Sequence, residues 1–251
     1  MKKILVIGNW KTNPKTYKEA KKLLKEIESL SKKISIDYGY AVPDIYLASL
    51  QEEKPNGLLG VQNIGSVDEG AHTGKSSISM YLSQKINFTL LGHSEVRKEG
   101  ETNKTINEKL ISSLSHKLTS IVCIGESERD KDGIYLKYIE DQLKQTLLGI
   151  KGENSNRLVI AYEPIWAVGA GVSATPEQCF EAIIMIRRTL ATLLGIEYAK
   201  KILILYGGTV NKQNAVDFIV EGSADGLLVG RSSLDKKEFS SILNNVNEAI
   251  S

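Results

Sequence analysis

Cysteine is scarce in this chain of 251 residues, and the two present, Cys123 and Cys179, have no metal-ligand spacing. They are too few for a disulfide-dense secreted scaffold, so reduced thiols in the cytoplasm are the default reading. No apolar run approaches the roughly 20 residues needed to span a bilayer. Neither sign of charge dominates: 32 basic and 30 acidic residues are interleaved to a net +2, which makes no electrostatic case for a nucleic acid or membrane partner. Any anion site must therefore be local. The chain also lacks a Walker phosphate loop, a Rossmann glycine fingerprint, an HExxH zinc helix and a GxSxG nucleophile elbow, so nothing calls for a nucleotide, a metal or another cofactor. No Pro/Gly/Ser-rich linker or shift of composition divides the sequence, and a single domain over residues 1–251 is the expectation. The start, Met1-Lys2-Lys3-Ile4-Leu5-Val6-Ile7, has the flavour of a signal peptide, but Gly8-Asn9-Trp10-Lys11 interrupts it too early, and a first strand is the better reading.

What is present is a repeated alternation. Short apolar runs at Ile4–Ile7, Tyr38–Val42, Leu58–Gln62, Phe88–Leu91, Ser120–Ile124, Leu158–Glu163, Ile202–Tyr206 and Gly226–Val229 predict eight strands. Their near-continuous hydrophobicity indicates burial on both faces, as in parallel sheets covered by crossover helices. Between them lie amphipathic stretches. Tyr17–Leu30 places Ala20, Leu23, Leu24, Ile27 and Leu30 on one face, and Thr105–Leu118 a stripe of Ile106, Leu110, Ile111 and Leu114. Thr175-Pro176 opens a long helix to about Leu194, and Asn211 is positioned to cap a helix ending near Glu221-Gly222. Eight strand–helix alternations fit an α/β closed (β/α)₈ barrel, while an open doubly wound sheet accommodates the same count.

The unusual residues fall just after the predicted strands. In a barrel those ends converge on one mouth, where active sites are built. Asn9 and Lys11 follow the first strand, and the lysine is either a fixed charge for a phosphate or developing oxyanion, or one more surface lysine. His93-Ser94-Glu95 follows the fourth; Ser94 is placed to cap a short helix whose positive end would keep His93 neutral, although a histidine here also serves as a structural bridge. Glu163 ends the sixth strand, held extended by Pro164, and is read either as a base beneath a flap or as a solvated carboxylate. Gly207-Gly208-Thr209 and Gly230-Arg231 follow the last two strands, where glycines admit backbone N–H groups to an anion or simply make tight turns. A carboxylate, a neutral imidazole, an ammonium and a phosphate cradle suffice for proton transfer next to a carbonyl.

These segments, together with Cys123-Ile124-Gly125-Glu126, Ala161-Tyr162-Glu163-Pro164-Ile165-Trp166-Ala167 and Leu228-Val229-Gly230, occur in the order and approximate spacing of the triosephosphate isomerase family, which the chain resembles from end to end. The resemblance implies a TIM barrel and cofactor-free interconversion of dihydroxyacetone phosphate and D-glyceraldehyde 3-phosphate through an enediol(ate), in glycolysis and gluconeogenesis. By that resemblance Glu163 is the base, His93 the neutral electrophile, and Lys11 and Asn9 bind and polarise the substrate oxygens. Glu95, with Ser94, Cys123 and Leu228, supports them. Pro164, Ile165, Trp166, Ala167, Val168, Gly169, Ala170, Gly171 and Val172 fall within the closing lid at 164–174, and the phosphate is held by backbone N–H groups of Gly169, Thr209, Gly230 and Arg231. The loop Gln62–Ser79 would enter a second subunit, with Thr73 against that subunit's Asn9 and Lys11, which implies a homodimer.

The chain departs from the family pattern in several places. Ala170 and Val172 stand where a threonine and a lysine are usual in the lid, Thr209 where serine is usual, and Arg231 where glycine is common. Val96 replaces a common arginine, and one residue is missing before Gly100-Glu101. Two other readings remain open at this level: an isomerase of a longer ketose phosphate, and a silent barrel that only binds a sugar phosphate.

Overall fold

The computed structural model describes residues 3–31, 33–66, 70–130, 132–168 and 173–251. Eight strands form where the apolar runs predict them, with ends shifted by a residue or two: β1 (Leu5–Asn9), β2 (Asp37–Val42), β3 (Leu58–Val61), β4 (Phe88–Leu91), β5 (Thr119–Ile124), β6 (Leu158–Tyr162), β7 (Leu203–Tyr206) and β8 (Gly226–Val229). Each pairs in parallel with the next in sequence, and β8 pairs with β1, so the sheet closes in the order 1 to 8. Closure rules out the open doubly wound alternative.

Strand period sorts the core into two shells. Leu5, Ile7, Phe88, Leu90, Ile121, Cys123, Val159, Ala161, Leu205 and Leu228 fill the barrel lumen. The alternate residues, among them Val6, Leu91, Val122, Ile160, Tyr162 and Tyr206, pack outward beneath the helices. This phase matters for the mouth. Counting on by two from the lumen residues brings Asn9, Glu163, Gly207 and Gly230 to the same inward side, one step above the filled interior.

Helices occupy the predicted stretches for clear local reasons. Tyr17–Leu30 begins in a capping box between Thr16 and Glu19 and buries Ala20, Leu23, Leu24 and Ile27. Pro176–Leu194 begins in another, between Thr175 and Gln178, with proline at its start. Three expectations are corrected. Leu30, placed on the apolar face of the first helix, is 48% exposed at its last position. The helix predicted at Thr105–Leu118 runs over Asn103–Ser115, and Ile111 is 46% exposed while Lys109 and Ser113 are buried. Ile111 lies a full 100° round the helix from Leu110, off the stripe set by Ile106 and Leu110; Lys109 can be buried because its ammonium meets Glu101 and, at 3.0 Å, Asn63 Oδ1. Asn211 does not cap the helix directly. Its Oδ1 accepts from the N–H groups of Gln213 and Asn214, closing the turn before a helix that spans Ala215–Val220. No described helix is long and apolar enough to cross a membrane.

Candidate active site

The C-terminal ends of the strands surround a cavity of about 570 Å³. Asn9, Lys11, His93, Ser94, Glu95, Glu163, Gly207, Gly208, Thr209, Leu228, Gly230 and Arg231 all line it, so the residues read from five separate strand ends do meet in space. Cys123 lies below, fully buried in the lumen shell, and Thr73 is exposed on its loop away from this wall. Pro164 to Val168 follow β6, with Ile165 and Val168 lining the cavity; Gly169, Ala170, Gly171 and Val172 lie outside the described residues.

Glu163 is 2% exposed and lies just beyond the end of β6, its N–H donating to Ile124 O at 2.8 Å. Its carboxylate is held by two donors. The N–H of Ser94 reaches Oε2 at 3.2 Å, and His93 Nε2 lies 3.1 Å from Oε1. His93 belongs to the wrong strand phase for the lumen. Gly92 turns the chain with a left-handed φ of 67°, a conformation open to glycine, and brings the imidazole inward. The same turn starts a short helix, Ser94–Lys98, and here the expectation for Ser94 is corrected: His93 is the cap, its Nδ1 accepting from Glu95 N–H at 3.2 Å. The imidazole outranks the hydroxyl because it directly precedes the first helical residue, while Ser94 N–H is drawn to Glu163 instead.

That cap bears on the histidine's chemistry. In this arrangement Nδ1 is the acceptor, which leaves Nε2 to carry the ring hydrogen toward Glu163.

Lys11 is held in a left-handed backbone, φ 51°, by Asn9 Oδ1, which accepts its N–H at 3.1 Å, and by Gln62 Nε2, which donates to its carbonyl at 2.8 Å. Its ammonium contacts Glu95 Oε1 at 2.6 Å. Partial burial would raise the Glu95 pKa, but Lys11 beside it outweighs this and the carboxyl titrates below its ordinary value. The Cys123 thiol is pushed well above its usual range by complete burial, and Glu163 nearby adds to the effect.

Three contributors escaped the sequence reading. Gln62 is read as the end of the third apolar run and the start of the loop that follows, with no role at the site. Arg97 ties the β4 and β5 ends together, with Nε to Gly92 O at 2.7 Å, one terminal nitrogen to Cys123 O at 3.0 Å and the other to Asn103 Oδ1 at 2.6 Å. Glu126, 1% exposed, accepts from Tyr162 Oη at 2.9 Å, Trp166 Nε1 at 2.8 Å and Arg129 Nε at 3.3 Å. Only Glu126 had a usable signal, since it follows the apolar run of β5 as Glu163 follows that of β6.

A closed parallel barrel with a desolvated carboxylate, an imidazole of defined tautomer and an ammonium at its C-terminal mouth is an acid–base catalyst of the (β/α)₈ class. Which member of that class follows from the whole chain: residues 4–246 match the family model for triosephosphate isomerase, and the chain belongs to that family. Named triosephosphate isomerases from Caldanaerobacter subterraneus subsp. tengcongensis and from Clostridium botulinum strain Loch Maree are each 38% identical to it over 248 residues, covering 97% of this chain and all of theirs. The one from Thermoanaerobacter pseudethanolicus is 36% identical over the same length.

Proposed function

We propose that this chain is a single-domain, cytoplasmic enzyme that interconverts dihydroxyacetone phosphate and D-glyceraldehyde 3-phosphate, with Glu163, His93 and Lys11 as its catalytic groups. The observation that carries the roles is the pairing of Glu163 Oε1 with His93 Nε2 at 3.1 Å, on a histidine whose Nδ1 is already occupied by Glu95 N–H. In the reaction the substrate oxygen takes over the Nε2 hydrogen. Glu163 is thereby released to remove a proton from the carbon next to the carbonyl and to return it to the neighbouring carbon. A neutral imidazole donor and the Lys11 ammonium stabilise the negative charge that develops on the enediolate oxygens. Asn9 and Glu95 position Lys11, and Ser94 N–H orients the base; Cys123 and Leu228 form its apolar floor.

The phosphate lies against backbone N–H groups of Thr209, Gly230, Arg231 and, beyond the described residues, Gly169. Segment 164–174 acts as the lid. Its two flanks are fastened to the loop after β7, where Thr209 Oγ1 donates to Ala167 O at 2.7 Å and Ser173 Oγ to Thr209 O at 3.1 Å. Closing there excludes water from a charged intermediate.

A homodimer is part of the proposal. Ile45 and Met80 are 84% and 55% exposed on two short helices, Asp44–Gln51 and Ile78–Ser83, that are joined by Tyr81 Oη to Asp44 Oδ2 at 2.5 Å beside the Thr73 loop. Exposed apolar side chains grouped in this way suit a second copy. The test is a coupled assay with both triose phosphates, run beside a solution mass measurement. Turnover by a dimer, with kcat lowered about 10³-fold or more in Glu163→Gln, is the expected result. A folded protein without turnover, or one preferring a tetrulose phosphate, would overturn the assignment.

A further inference from the structure

The loops after β7 and β8 are neighbours in the barrel order and are tied together, with Ser232 Oγ donating to Val210 O at 2.6 Å. Among the described residues the N–H groups of Gly208, Thr209 and Gly230 donate to no protein oxygen. Together they form a wall of free backbone donors, suited to an anion. At its edge Arg231 lines the cavity and is exposed, and no described carboxylate pairs with it. The two carboxylates of the cavity are already engaged, Glu95 with Lys11 at 2.6 Å and Glu163 with His93 at 3.1 Å. Arg231 therefore has a guanidinium without a counter-charge beside a row of unused N–H groups. The Gly230–Arg231 step also runs close to the first strand's cation, since a Cβ on Gly230 would lie 3.9 Å from Lys11 Cε.

We infer that the Arg231 side chain is a specificity-determining group that binds the substrate's phosphate dianion alongside the backbone donors. Backbone N–H groups alone supply direction but no net charge. A guanidinium supplies both, through paired N–H donors that fit two phosphate oxygens. This rests on the proposed function, because it takes that wall as the phosphate end of the site. The consequence is a stronger preference for phosphorylated over unphosphorylated substrates than backbone donors would confer, and a steeper weakening by salt.

The test compares the full-length enzyme with Arg231→Gln and Arg231→Lys in three measurements: KM for the triose phosphates, competitive inhibition by inorganic phosphate, and the ionic-strength dependence of both. Arg231→Gln is expected to raise KM and the phosphate inhibition constant together, by about tenfold, with a shallower salt dependence. Arg231→Lys is expected to recover much of the loss. The melting temperature should not move, since the side chain makes no hydrogen bond or ion pair among the described residues. Values within twofold of the parent in Arg231→Gln, or a rise in KM without a matching rise in the phosphate constant, would overturn the inference. If the parent does not turn over triose phosphates, the functional assignment fails by itself; direct titration of parent and variants with inorganic phosphate then still decides the role of Arg231.

Discussion

Gly125 lies against the main chain of Glu163 so closely that a Cβ at 125 would sit 1.8 Å from the Glu163 carbonyl oxygen. The neighbour it would strike is backbone, which cannot rotate away. The contact is reinforced from below, where Gln142 Oε1 accepts the Gly125 N–H at 2.9 Å. Gly125→Ala is therefore expected to displace the β6 end, costing about 3 kcal/mol of stability and lowering kcat as Glu163 moves off its donors. Thermal denaturation and steady-state kinetics check both; a variant with parental values in each would show that the strand ends yield more easily than this geometry allows.

Glu126 anchors the first turn after β6. Its Oε1 takes Tyr162, Trp166 and Arg129, while Oε2 has no partner among the described residues. Glu126→Leu would leave the Arg129 cation without its buried partner, although Glu181 still meets it at 3.1 Å, and two further donors without acceptors. A loss of about 3 kcal/mol is expected. The chain has only two tryptophans, and Trp10 is fully buried, so a red shift of the emission in this variant reports release of Trp166. Unchanged emission with unchanged stability would contradict the anchoring role.

Lys85 and Lys117 follow helices in a left-handed backbone, with φ 57° and 59°. Each continues into a strand, and the turn has the form in which glycine avoids a Cβ penalty. Lys85→Gly and Lys117→Gly should each raise stability by about 0.5–1 kcal/mol, or roughly 1–4 °C for a chain of this length. Neither side chain lines the active-site cavity, and kcat should be retained. Lower melting points would mean that glycine's extra freedom in the unfolded chain outweighs the relief.

Both thiols are held protonated. Burial pushes Cys179 up to about 12 and Cys123 well above its ordinary range, with Glu163 adding to the latter. Thiolate is the reactive form, so at pH 8, below both folded values, the native protein should resist alkylation, and raising the pH to 9 should add little. In denaturant both thiols return to an ordinary range near 8.5 and should label fully. Mass spectrometry after brief iodoacetamide treatment distinguishes the two states; rapid native labelling of Cys123 would show that the lumen beneath Glu163 opens.

Much of this protein is determined by its sequence alone. Strand positions follow from short apolar runs and helices from amphipathic stripes and caps such as Thr175-Pro176, because burial and capping are local demands on neighbouring residues. The chemical groups Asn9, Lys11, His93, Glu95 and Glu163 are legible for the same reason, as polar residues that interrupt apolar runs at strand ends. Pairing is another matter. That the sheet closes, that Lys11 meets Glu95 across 84 positions, and that Ser94 N–H meets Glu163 across 69 were decided by tertiary structure. His93 shows the division within one residue: its place after β4 could be read, but its role as cap, and hence the nitrogen that bears the proton, depends on the left-handed turn at Gly92. Ile111 failed for a related reason, since hydrophobicity marks what can be buried while the barrel decides which face is. Local pattern fixes what each segment presents; only closure of the barrel fixes what it is presented to.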